Sequence, residues 1–184
     1  MNYKKKADWI LTIIFFILMA TVCLSQQSAA VMIALSTETL TGESELIISG
    51  DVKQVKSEWS EDKKSIFTFA TVTVRETIKG KAVNKTLKIM YEGGEIDGIG
   101  MKVSDVAIPN VGENVLLFLK PAKTRQHETI YKNVGKAQGQ YKIDKDGIAR
   151  KTGYTLEGSA KDIDNNMPIE VLIEKIKRIG NEKK

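Results

Sequence analysis

Four acidic side chains stand close together in the stretch YEGGEIDGIGMKVSD that begins at Tyr91: Glu92, Glu95, Asp97 and Asp105. Two carboxylates whose surroundings push their pKa values apart can divide acid and base work between them, the least equipment a metal-free hydrolase needs. Other chemistries lack their parts. The chain has one histidine, His127, and one cysteine, Cys23. A histidine-based metal site would have to be completed by carboxylates alone, and His127 in its polar stretch reads as a solvated loop residue. Neither a Ser-His-Asp arrangement with another base nor a cysteine nucleophile is within reach of the domain. Asp162-Ile163-Asp164-Asn165-Asn166 imitates the start of a calcium loop. It fails at the sixth position, where Met167 replaces glycine, and at the twelfth, where Ile173 replaces glutamate. Gly93-Gly94 and Gly98-Ile99-Gly100 are followed by no lysine-serine pair and open no helix, so they do not read as a phosphate cradle. Asn84-Lys85-Thr86 is a glycosylation sequon, relevant only where exported proteins are glycosylated. No cofactor and no metal is expected.

The acidic stretch has a second reading, as a recognition loop. Residues 91–114 form a long connection between two strands, and long ordered connections often carry binding. Val103, Val106 and Ile108 would tack it down, and Pro109 would mark the approach to the next strand. Trp59, beside the polar turn 59–64, either anchors a partner or packs against the end of the sheet. The candidate binding residues are therefore Trp59, Tyr91, Glu92, Glu95, Asp97 and Asp105.

The elements that must hold them are mostly strands. Residues 37–45 carry capping residues around Leu40 and suggest a short helical turn. Residues 46–55 alternate through Leu46, Ile48, Gly50 and Val52, with Gly50 permitting a bulge before Val55 changes face. Residues 65–78 read as the longest strand, Val72, Val74 and Ile78 on one face and Thr71, Thr73 and Thr77 on the other; the two strands form a hairpin. Leu87, Ile89 and Tyr91 alternate in a third strand. Residues 115–119, VLLFL, are apolar on both faces, the pattern of a strand buried between two layers. Strands follow at 129–134, 138–143 and 148–151, the last two joined by the Asp144-Lys145-Asp146-Gly147 turn. Ile169, Leu172, Ile173, Ile176 and Ile179 recur at helical spacing after Pro168, predicting an amphipathic helix over residues 168–179 that packs on the sheet. Several short strands with one terminal helix suggest a mainly β fold, a small antiparallel OB-like barrel, and not an α/β nucleotide fold.

The N-terminus sets the compartment. Lys4, Lys5 and Lys6 precede the apolar run 9–24, which is shorter than the roughly 20 residues a spanning helix prefers and fits a signal peptide. Ser28 and Ala30 supply small residues at a cleavage site after Ala30, leaving residues 31–184 as one domain; the alternatives are an uncleaved anchor through residues 9–24 and lipidation of Cys23, for which the branched Val22 is a poor neighbour. In every case the domain lies outside the cytoplasm. Cleavage after Ala30 leaves no cysteine, so stability rests on a hydrophobic core without disulfides. The net charge of +5 falls when Lys4, Lys5, Lys6 and Asp8 are removed, and the remaining charges are interleaved, which does not indicate a nucleic-acid groove.

The segments ELIISGDVKQVKSEW, TFATVTVRETIKG, VSDVAIPNVGENVLLFLKP and VGKAQGQYKID resemble a group of uncharacterised secreted prokaryotic proteins, similar in outline to the OB-type barrels of netrin-like modules and the tissue inhibitors of metalloproteinases. The resemblance spans nearly the whole of residues 31–184 but rests on structural motifs. Those inhibitors act through an N-terminal cysteine on the protease zinc, and a chain cleaved after Ala30 has none, so that mechanism does not carry over. The expectation is an exported, non-enzymatic binding module for a protein or a cell-envelope component, touching the membrane only through an uncleaved N-terminal segment. The alternatives are a carboxylate hydrolase using the Glu92–Asp105 stretch and a structural component of the envelope.

Overall fold

The computed structural model describes residues 34–125, 128–153 and 163–182. Cys23, the Ala30 cleavage position, His127 and Asp162 lie outside them. The chain divides into Met1–Ala30 and Val31–Lys184, and everything below concerns the second unit.

Strand β1 (Leu46–Trp59) organises the fold because it serves two neighbours. It pairs along its length with β2 (Ile66–Lys79), while Leu46–Asp51 also pair antiparallel with Leu119–Asn114 of β6 (Asn114–Arg125). A straight strand would not curl enough to do both. The register against β2 shifts between Ile47 and Ile48, between Ser49 and Gly50 and again between Val52 and Gln54, and such bulges bend and twist a strand. Gly50 is needed at the bend: a Cβ there would lie 2.5 Å from the Thr73 carbonyl oxygen and 2.8 Å from Val72 Cγ1. Strand β3 (Thr86–Glu92) continues from β2, joins β7 (Glu128–Asn133) in the one parallel pairing observed, and β7 returns to β6. The order β1-β2-β3-β7-β6 thus closes on itself through β1–β6, a barrel-like ring of five strands.

Inside the ring Val115, Leu117 and Leu119 meet Leu46, Ile48, Val72, Ile89 and Tyr91. On the opposite face of β6, Leu116 and Phe118 join Leu40, Tyr141, Leu172 and Ile176 in a second core. All five side chains of the VLLFL run are fully buried, each worth roughly 1.5–3 kcal/mol over exposure. The second core is roofed by two helices. In α1 (Thr37–Glu43) the Ser36 hydroxyl accepts the Thr39 N–H as N-cap, and Leu40 points down. In α2 (Ile169–Glu182) Leu172, Ile176 and Ile179 make the buried stripe. Lys175 Nζ reaches Glu38 at 3.1 Å and Asp164 at 2.7 Å, tying the two helices to the segment before α2. Among the described residues no helix is long and apolar enough to cross a membrane.

The fold is mainly β with a C-terminal helix, as the sequence predicts, and it differs in several places. The first strand does not stop at Val55 but continues through Trp59, which makes β1 as long as β2 and puts Trp59 in the strand and not in the polar turn. Ile78 does not share a face with Val72 and Val74; it packs against the second core, because the register shift at Ser49/Gly50 lies between them and Ile78 is itself the extra residue at the shift between Ile47 and Ile48. The strand expected from Gln138 starts later. A 3-10 turn, Lys136–Gly139, comes first and turns the Gln138 amide inward to accept the Leu35 N–H at 2.7 Å, before β8 (Gln140–Ile143) and β9 (Ile148–Arg150). Helix α2 runs past residue 179 to Glu182, and Pro168 belongs to a short bridge, β10 (Met167–Pro168), against β9. The long connection also has structure of its own: β4 (Gly94–Ile96) and β5 (Ile99–Met101) form a ribbon turned at Asp97-Gly98, both at positive φ (51° and 78°).

Candidate functional site

Past the β6 ladder the second half of β1 runs on beside β2, which is flanked in turn by β3, and the cleft lies on one face of this three-stranded extension. Val55 and Ser57 of β1 and Thr68 of β2 line that face, and the connection 93–111 curves over it, enclosing an open cleft of about 840 Å³. The ribbon hangs on the hairpin by hydrogen bonds. The Gly93 N–H donates to the Ile66 carbonyl at 2.8 Å, and the Thr68 hydroxyl donates to the Gly93 carbonyl at 2.7 Å while sharing a 3.0 Å hydrogen bond with the Ser57 hydroxyl. Gly94 crosses directly above: its φ is 135°, and a Cβ would lie 2.2 Å from Thr68 Oγ1 and 2.6 Å from Ser57 Oγ. Only glycine lets the backbone pass so close.

The far wall is Ile108, Pro109, Asn110 and Val111. It is pinned through Glu113, whose carboxylate accepts the Asn110 N–H and side-chain amide, each at 3.1 Å, and Lys142 Nζ at 2.6 Å. Burial works against its charge, but the hydrogen bonds from Lys142 and Asn110 outweigh it and hold the Glu113 carboxyl below the usual value. Val111, 62% exposed, lines the cleft, and Ile99, 58% exposed, stands at the turn end of the ribbon. Trp59, at 39% exposure, follows Val55 and Ser57 in the alternation of β1 and so stands on the cleft side of the hairpin tip.

The sequence-predicted residues separate. Glu92 and Glu95 both line the cleft. Asp97 is at the tip of the ribbon turn, exposed, and is not among the lining residues. Asp105 is turned elsewhere: at φ 62° its carbonyl accepts the Ala137 N–H at 2.9 Å, fastening the connection to the 3-10 turn. Tyr91 belongs to the ring core, 5% exposed, and its hydroxyl donates to Gln140 Oε1 at 2.9 Å. Burial pushes its phenol well above the ordinary tyrosine value. It is a structural tie and not a surface contact. Val55, Ser57, Thr68, Ile108 and Val111 were not expected; the alternation of Val55, Ser57 and Trp59 along one strand is the signal that would have found the first two.

The described polar groups of the calcium-like run are spent on the fold. In the calcium-like run, Asp164 accepts from Lys175 and Thr37, Asn165 Oδ1 accepts the Lys151 N–H at 2.8 Å, and Asn166 Oδ1 accepts from Arg150 at 2.6 Å. The side-chain oxygens of Asp164, Asn165 and Asn166 thus face protein donors. Among the described residues no cluster of three or more His, Cys, Asp or Glu could hold a metal. Lys151 is 8% exposed, donates to the Gln138 carbonyl at 2.7 Å and lies 4.7 Å over the Tyr141 ring; burial pushes its amine down to about 8. No protein-family model matches the chain, and no curated protein matches it in sequence.

Proposed function

We propose that the chain is an exported, non-enzymatic binding module that holds another protein, at the cell envelope or outside the cell, in the cleft between the β1–β2 hairpin and the connection 93–111. The observation that carries this reading is the cleft itself: an open concavity of about 840 Å³ lined by Val55, Ile108 and the exposed Val111, with Trp59 at the end of the strand that supplies Val55 and Ser57. Exposed apolar side chains gathered around one concavity mark an interaction site far better than the same residues scattered. Export rests on the cationic and apolar N-terminal segment, with membrane attachment through residues 9–24 where that segment is retained. The resemblance to netrin-like barrels supports a binding role by analogy of fold alone.

The test is affinity capture with the tagged full chain from the producing organism's envelope and secreted fractions. One saturable partner is expected, bound at least tenfold more weakly by Trp59→Ala, since truncating an aromatic anchor that a partner buries commonly costs more than one kcal/mol. No specific partner, or a partner indifferent to Trp59→Ala and Val111→Ser, would overturn the reading. One observation keeps a hydrolase in view: Glu92 and Glu95 line the same cleft. A turnover activity abolished by Glu95→Gln with partner binding intact would favour that alternative.

A further inference from the structure

Strand β1 is paired on both sides in its first half and on one side in its second. The ladder with β6 ends at Asp51 and Asn114. One residue on, Val52 completes it, its N–H donating to the Glu113 carbonyl at 3.0 Å and its carbonyl accepting the Gly112 N–H at 2.8 Å. Past the bulge at Val52/Gln54, β1 continues to Trp59 with β2 as its sole ladder partner among the described residues. The Ser60 N–H donates to the Ser65 carbonyl at 2.8 Å, which makes 60 and 65 a hydrogen-bonded pair. Antiparallel alternation then turns the backbone groups of Lys56 and Glu58 toward β2 and those of Val55, Ser57 and Trp59 outward. Three sets of N–H and C=O groups, two residues apart, thus run along the border of the cleft. Such an edge is a template for another extended chain.

We propose that this edge takes an extended segment of the partner protein by strand addition, with alternate side chains of that segment filling the cleft. The proposal rests on the binding-module reading and names its ligand class. The inward side chains of an added strand would meet Val55, Ile108 and Val111 on the apolar part of the cleft and Glu92 and Glu95 on the acidic part. The occupant is therefore a segment whose inward positions, every second residue, include both apolar and basic side chains. A second copy of this chain fits less well, because the inward residues of its own edge, Val55, Ser57 and Trp59, bring no cation to the two glutamates.

The experiment pans a display library of ten-residue peptides on the full chain, then methylates each backbone amide of a selected peptide in turn. Sequences that carry both apolar and basic residues within one set of every-second positions are expected, with methylation weakening binding at least tenfold at every second amide and sparing the amides between. On the protein side, Ser57→Pro removes an outward donor without touching the ladder to β2, and an edge position tolerates proline. It should weaken the peptide about tenfold while the melting temperature stays within a few degrees. If that variant fails to fold, the methylation series still decides. No enriched peptide, a methylation profile without two-residue periodicity, or a dimer joined through this edge that peptides do not displace would each overturn strand addition. If peptides or the captured partner bind without that periodicity, strand addition fails and the binding module stands; an empty capture as well would sink both.

Discussion

Gly94 and Lys151 show how single positions carry measurable consequences. Gly94→Ala would drive a methyl group into the Thr68 and Ser57 hydroxyls at a backbone angle that side chains rarely adopt. A loss of about 1–3 kcal/mol is expected by thermal melting, with weaker partner binding as the ribbon lifts. Gly100→Ala, with nothing within 4 Å of its added carbon, should change stability by no more than about 0.5 kcal/mol. Lys151 sets a pH dependence. Its folded value, about 8, lies below the ordinary 10.5, so between those limits the unfolded chain holds a proton that the folded chain has released. Stability from this group therefore rises with pH across that window, by on the order of 2–4 kcal/mol in all, and is flat below it. Chemical denaturation of the protein and of Lys151→Met between pH 7 and 9.5 should show the rise in the first and a smaller one in the second.

The strands and helices were readable from sequence to the extent that their partners lie on both faces or close in the chain. The VLLFL run could only be a doubly buried strand, and it packs two cores. The spacing of Leu172, Ile176 and Ile179 could only be a helix face; Leu172→Ala should cost about 2–5 kcal/mol by denaturant titration, since its side chain is fully buried under the roof. The ribbon was missed although Asp97-Gly98 between Ile96 and Ile99 is a two-residue hairpin signal, because its strands are too short to show alternation. Ile78 was placed on the wrong face because a bulge leaves little trace in composition. For the candidate site, Glu92 and Glu95 were found from residue type, whereas Tyr91 already alternates with Leu87 and Ile89 and belongs inside by the pattern that identified the strand.

Over the whole domain, closure of the ring depends on the pairings β1–β6 and β3–β7, which join segments far apart in sequence and leave no local mark. The cleft is a consequence of that closure. Because β1 is longer than the stretch β6 can cover, its second half forms an open edge beside β2 and β3, and the connection folded against it makes the concavity. The most direct check is hydrogen–deuterium exchange of the full chain with and without its captured partner. Protection should concentrate at residues 53–59 and 94–111, strongest at the outward amides of Val55, Ser57 and Trp59. Protection confined to α2 or to the β8–β9 turn, with the cleft unchanged, would contradict the assignment of the cleft as the binding site.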